Sequence, residues 1–322
     1  MFKDFCHRVV VAIKPNLVYA APANKGVTTH PGIVSALIDN IRKITKGGII
    51  VMEGDSQNKG KSTFKKLGWT KLCEEKNCVL LDLNHPAPYK DFGTYKVPGG
   101  GLYFGEVELN RELERTDVFI SAAKMKMHSS AGITLSLKNQ FGIAPFELYS
   151  NNPDRRDVSK AALHGRGELR DLPKVINDLN VINPINLAII DGVIGLEGGE
   201  GYWIRKSAAR RKSSLIIIGK NAVAVDAVGV FLMGYDPSAE CPDEPFITSQ
   251  NHLRIARDLG LGPNEIKDID IRLGSGIEKL EDLVVKYAIP EVRSDVSLRF
   301  KPDKIEKLSP KWFRDDNQLK EE

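Results

Sequence analysis

Residues 8–16 read RVVVAIKPN and residues 47–56 read GGIIVMEGDS, and both are short β-branched runs that stop abruptly on polar residues. Apolar runs of this length without alternation suit strands covered on both faces, as in a parallel sheet. Between them, Pro31–Ile44 carries apolar residues at helical spacing, with Pro31 in the first turn and Thr29 as the expected cap. Strand, helix, strand is the repeating unit of such sheets. Further strands are expected at Val79–Leu83, Val118–Ala122, Leu187–Asp191, Leu215–Gly219 and Ile269–Leu273. Helices are expected at Thr63–Leu67, Thr70–Lys76, Ser130–Phe141, Leu172–Val181, Ala222–Met233 and Phe246–Leu259. Asn84–Gly105 reads as a long loop or hairpin, and Asn151–Arg170 as a polar flap. The expected fold class is therefore α/β: a mixed, mostly parallel sheet with helices on both faces and a polar site at the strand carboxyl ends.

Apolar residues make up 42% of the 322 and charged residues 27%, an ordinary globular balance with material for a substantial core. Residues 1–293 are expected to form a single α/β domain, and residues 294–322, charged and carrying Pro302 and Pro310, a peripheral tail. The net charge of +4 is small for this length; it argues against nucleic acid as the main partner and suits an anionic small molecule equally well. The charged start, with Lys3, Asp4 and Arg8, lacks a secretory pattern, and no apolar run is long enough to span a bilayer. A cytoplasmic location without membrane association is the expectation; the oligomeric state is open. Cys6, Cys73, Cys78 and Cys241 have neither zinc-site nor ferredoxin spacing and read as scattered thiols.

In an open α/β sheet, ligands bind beyond the strand carboxyl ends. Here those ends carry Lys14-Pro15-Asn16, Glu53-Gly54-Asp55-Ser56, Lys124-Met125-Lys126-Met127-His128, Asp191-Gly192 and Lys220-Asn221. Turns need only Asp, Asn and Gly, so the recurrent lysines point to a shared site. In an extended chain Lys124, Lys126 and His128 face one way and the two methionines the other. Ser129, Ser130 and Gly132 follow at an expected helix start, where free N–H groups attract anions, and Thr134 and Lys138 would share a face of that helix. A solvated edge strand leading into an ordinary capped helix is the alternative.

Several other residues carry two readings. Gly54–Ser62 nearly spells a phosphate-binding loop, but five residues separate Gly54 from Gly60 where the motif needs four. In GLEGGEG, residues 195–201, a tight turn presenting Glu197 is favoured over phosphate binding, which the two glutamates would oppose. His30 is either a ligand group or a helix cap. His164, in the flap, is either a ligand or a surface histidine. Asp226, inside an apolar helix, must have a hydrogen-bonding partner if buried, and is tied either to the structure or to the site.

Taken in order, several motifs together resemble the domain-of-unknown-function 362 family over roughly residues 8–275. They are Lys14-Pro15-Asn16-Leu17, Thr28-Thr29-His30-Pro31, Glu53-Gly54-Asp55-Ser56, Lys124-Met125-Lys126-Met127-His128, and Ser136-Leu137-Lys138-Asn139-Gln140-Phe141-Gly142. Asp191-Gly192 with Glu197-Gly198-Gly199, and Ala224-Val225-Asp226-Ala227, complete the set. The resemblance implies a polar site at these positions and supplies no reaction. Many relatives carry ferredoxin-like cysteine modules; this chain has no CxxCxxC run, so an iron–sulfur cluster held within it is not implied. Gly201-Tyr202 also stands where the family has Gly-Pro. A shorter pattern, His128 with Ala131-Gly132 and Lys138, is similar to the nickel-pincer lactate racemase family and implies only histidine–lysine chemistry.

The expectation is an enzyme acting on a carboxylate or phosphate. His128 would be its general acid/base, with Lys138 and Asp191 completing the catalytic set. Lys14, Asn16, His30, Asp55, Lys124, Lys126, Asn139, His164, Glu197 and Asp226 complete the candidate site. Carboxylates and imidazoles would also suit a divalent metal, with Asp191 and Glu197 holding the cation or the substrate's hydroxyls. The alternative is a redox partner whose iron–sulfur cluster belongs to another subunit.

Overall fold

The computed structural model describes residues 9–150, 163, 171–202 and 208–290. The central sheet is built on β1 (Val11–Pro15), β2 (Ile49–Glu53), β3 (Val79–Asp82), β6 (Val118–His128), β8 (Leu187–Glu197) and β10 (Leu215–Gly219), in the order β10-β8-β6-β1-β2-β3. The pairs from β8 through β3 are all parallel, whereas β10 runs antiparallel to β8. Two short antiparallel strands, β7 (Gly132–Thr134) and β9 (Ala209–Arg211), fold back on β6 and β8. The sheet is thus mixed and mostly parallel, as expected. β4 (Gly93–Lys96), inside the stretch expected to be a loop or hairpin, pairs with β5 (Glu106–Leu109) just beyond it as a separate two-stranded sheet.

Strand alternation divides the core between the two faces. Val11, Ile13, Val51, Ile120 and Ile189 pack against α1 (Pro31–Ile44), α2 (Gly60–Lys66) and α3 (Trp69–Glu75). Ala12, Met52, Phe119, Met125 and Ile190 pack on the other side against α4 (Ser136–Asn139), α6 (Leu172–Ile182), α7 (Ala222–Leu232) and α8 (His252–Asp258). A further short helix, α5 (Phe146–Tyr149), lies between α4 and α6 in sequence.

Five expectations need correction. β6 does not stop at Ala122 but continues to His128, and the expected helix from Ser130 is instead a hairpin. Gly132 sits there at φ +77°, with the backbone of Pro245 and the ring of Phe246 filling the space where a Cβ would go. Residues 130–141 are all buried, so the stretch offers no amphipathic stripe for a long surface helix to use. The α-helix covers only Ser136–Asn139, followed by a 3-10 turn at Gln140–Ile143, and Thr134 and Lys138 do not share a helix face. The cap of α1 is His30, whose Nδ1 accepts from the Gly32 N–H, while Thr29 Oγ1 donates to the Ala122 carbonyl. Ile269–Leu273 alternates like a strand but pairs with none. The helix expected from Phe246 begins only at His252. Apart from Leu163, the flap at 151–170, with His164, and the tail from Ser294 lie outside the described residues.

Candidate functional site

Parallel pairing brings the carboxyl ends of β1, β2, β6 and β8 to one edge of the sheet, and four lysines are buried there: Lys14, Lys124, Lys126 and Lys138. Two of them have carboxylate partners. Lys14 Nζ, near the end of β1, lies 2.6 Å from Glu53 Oε1 at the end of β2. Gly142 closes over this pair, and any Cβ there would strike both charged groups. Lys124 Nζ lies 2.8 Å from Asp191 Oδ2 on the neighbouring strand. Burial lowers both lysine pKa values, and the partner carboxylates act against that shift.

The other two are held differently. Lys126 Nζ donates to Asn16 Oδ1 and to the Val27 carbonyl, each at 3.0 Å, and makes no ion pair among the described residues. Burial pushes its pKa down to about 7, and repulsion from Lys138 adds to the shift. Lys138 Nζ lies 4.7 Å from the centre of the Phe141 ring and has no hydrogen bond among the described residues. Burial lowers its pKa to about 8; Glu200 and Glu53 oppose the shift, and Lys14 reinforces it. The Phe141 face offers the ammonium a weak electrostatic partner and no proton acceptor.

Asn16 and Asn139 join these groups. Asn16 Nδ2 and Lys14 Nζ both donate to Asn139 Oδ1, at 3.1 and 3.3 Å, while Asn139 Nδ2 donates to the Lys14 carbonyl and to Ser121 Oγ. Asn16, just past β1, thereby connects Lys126 to the α4 side of the sheet.

The candidate residues therefore separate. Lys14, Asn16, Lys126, Lys138 and Asn139 form one electrostatically connected group. His128, at the end of β6, has Nδ1 accepting from the Ser130 and Ala131 N–H groups at 3.0 and 3.2 Å, which places the neutral ring's proton on Nε2. Those N–H groups, expected to await an anion, are thus occupied, and the Ser129 N–H and Oγ both bind Glu200. Asp191 is turned to Lys124, to the His30 N–H and to the Val193 N–H. Asp226 accepts from the Ser136 and Leu137 N–H groups and so caps α4, taking the structural of its two readings; burial raises its pKa to about 7. Asp55 accepts from the Gln57 and Lys59 N–H groups and from Thr63 Oγ1, so the near-phosphate loop is filled by its own side chain. Glu197 accepts from the Ala288 N–H.

Sequence reasoning left three groups outside the candidate site. Glu53 is the partner of Lys14, and the motif Glu53-Gly54-Asp55-Ser56 held it one residue before a loop ending on four polar positions. Glu200, not Glu197, is the glutamate of the glycine-rich loop whose charge acts on Lys126 and Lys138. The third is the segment Thr248–His252, in which Thr248, Ser249, Asn251 and His252 are buried; no sequence pattern marked it. Among the described residues no three His, Cys, Asp or Glu side chains gather as metal ligands, and no helix is long and apolar enough to cross a membrane.

Geometry and topology together define a mixed α/β domain with a buried lysine cluster at its parallel strand ends. The chain matches the family described as domain of unknown function (DUF362) over residues 11–231, more than half its length, and belongs to that family. A thylakoid-associated protein of Synechocystis sp. is 24% identical over 233 residues, covering 71% of this chain and 64% of that protein. The chain thus spans less than two thirds of that relative's length. Among solved structures, the lactate racemase apoprotein from Thermoanaerobacterium thermosaccharolyticum superposes with a TM-score of 0.37 at 13% identity, covering 58% of this chain and 44% of the other. A crystal structure of a Thermotoga maritima protein gives a TM-score of 0.33 at 13% identity, covering 67% and 51%.

Proposed function

We propose that the chain is an enzyme acting on an anionic small molecule, a carboxylate or phosphate, bound at Lys138 and Lys126. The observation that carries this reading is Lys138 itself: a buried ammonium beside an aromatic ring, with no hydrogen-bond acceptor among the described residues. A buried charge without a partner is costly, and an incoming anion supplies the missing one. The two backbone N–H groups at His128 Nδ1 oppose the tautomer that could remove a proton at Nε2, so His128 is not assigned the part of general base. Asp191 holds Lys124 and His30 in place and acts as a positioning group.

Acetate and inorganic phosphate are suitable probes. Either should raise the melting temperature of the full chain, and Lys138→Met should remove that rise while keeping a cooperative transition. If neither probe shifts the wild-type protein, or if Lys138→Met responds as wild type does, the reading is wrong.

A further inference from the structure

Cys73 and Cys78 read from their spacing as unrelated thiols, but the turn between α3 and β3 brings them together. Asn77 in that turn has a φ of +48°, its N–H donates to the Glu74 carbonyl at 3.3 Å, and the Cys78 N–H donates to the Cys73 carbonyl at 3.0 Å. A left-handed residue closed by this pair of hydrogen bonds is the Schellman ending of a helix, in which the side chains at the two ends of the turn meet. Here those side chains are the two cysteines. Backbone bond lengths and the Cys78–Cys73 hydrogen bond hold their Cα atoms within about 7 Å, the outer limit for a disulfide.

Their surroundings give the two thiols different parts. Cys73 is buried in the apolar cluster that holds Phe64 and Trp69. Cys78 is only partly buried and sits between the exposed Asn77 and Val79. The Arg42 guanidinium fastens the same turn, donating to the Asn77 carbonyl at 2.9 Å and to the Gly47 carbonyl at 2.6 Å. A hydrogen bond from the Cys73 thiol, and then the Arg42 charge, lower the Cys78 pKa, whereas the same hydrogen bond and burial raise that of Cys73. A partly exposed thiolate with a buried thiol behind it is the arrangement of an attacking and a resolving cysteine.

We propose that Cys78 and Cys73 form a redox-modification site that exchanges with low-molecular-weight disulfides, Cys78 attacking and Cys73 resolving. The Cys78 thiolate attacks one sulfur of oxidised glutathione, forming a mixed disulfide and releasing one glutathione thiolate. The Cys73 sulfur, losing its proton, then attacks the Cys78 sulfur and expels the second. The two protein thiols thereby give up two electrons and two protons, both glutathiones leave reduced, and the new bond ties the end of α3 to the start of β3. That turn lies at the amino end of the parallel strands, opposite the lysine cluster, so the site is independent of anion binding.

Trypsin separates the two cysteines, cutting after Lys71, Lys76 and Lys90. The full chain is incubated with oxidised glutathione, its remaining thiols are blocked, and its tryptic peptides are weighed by mass spectrometry. Peptides 72–76 and 77–90 should appear linked, in a protein that runs as a single chain on a non-reducing gel. Cys241, whose thiol burial pushes up to about 12, should stay reduced. Cys73→Ser should keep glutathione on Cys78, and Cys78→Ser should leave Cys73 a free thiol. The wild-type measurement needs neither variant and decides the question if a serine variant fails to fold. Glutathione that stays on Cys78 in the wild-type chain, linkage only between two chains, Cys73 modified in Cys78→Ser, or no modification at all overturns the assignment.

Discussion

The two lysines facing carboxylates and the two facing none occupy the same strand-end region, yet they do opposite things. Lys14 and Lys124 each cancel a buried carboxylate at 2.6 and 2.8 Å, so the charges there belong to the fold. Among the described residues, Lys126 meets two neutral oxygens and Lys138 one aromatic ring. A buried pair is roughly neutral for stability as a unit and very costly to halve, whereas a buried lone charge is a liability from the start. The pairs join neighbouring strand ends, and the other two ammoniums are the ones the proposed anion would meet.

Halving a pair should have the largest effect. Lys14→Met leaves the buried Glu53 carboxylate without its cation, held by the Leu17 and Gly54 N–H groups, and should lower stability by about 3–5 kcal/mol, read as a shift in urea midpoint. Lys138→Met should leave the midpoint unchanged or raise it. If both variants lose comparable stability, Lys138 is a structural cation like Lys14 and the contrast disappears.

A smaller effect is expected from pH. The folded pKa values of Lys126 and Lys138, about 7 and about 8, lie below the unfolded 10.5. Between those limits the unfolded chain binds more protons, so their contribution makes stability rise with pH from about 7 to 10.5. Denaturation across that range should show a steeper rise for wild type than for the Lys126→Met/Lys138→Met double variant. Anion affinity should run the other way, falling as the ammoniums lose their protons. Parallel stability profiles for the two proteins would mean that neither lysine titrates in this window.

The smallest effect separates the two glutamates of the glycine-rich loop. Glu200 raises the pKa of both unpaired lysines, whereas Glu197 binds the Ala288 N–H. Glu200→Gln should move the pH midpoint of phosphate binding downward, and Glu197→Gln should leave it in place. A shift from the Glu197 variant alone would reverse their roles.

Two further positions show how far side-chain type goes in a sequence. Asp226 in an apolar helix announced a polar partner but not which one, because the Ser136 and Leu137 N–H groups it caps lie ninety residues or so away. His252 carried no signal, since its burial depends on α6, Phe246 and the hairpin at Gly132.

The sequence by itself determined the α/β class, the parallel strands and the lysine-rich strand ends, because strand burial on both faces and the side-chain alternation of Lys124, Lys126 and His128 are local properties of the chain. Only the tertiary structure decided that residues 130–134 return as a hairpin rather than run on as a helix, since that turn depends on Gly132 meeting Pro245 and Phe246. It also decided which lysines have carboxylate partners. Pairing is a matter of distance in space, and Glu53 and Asp191 reach their lysines only through strand register.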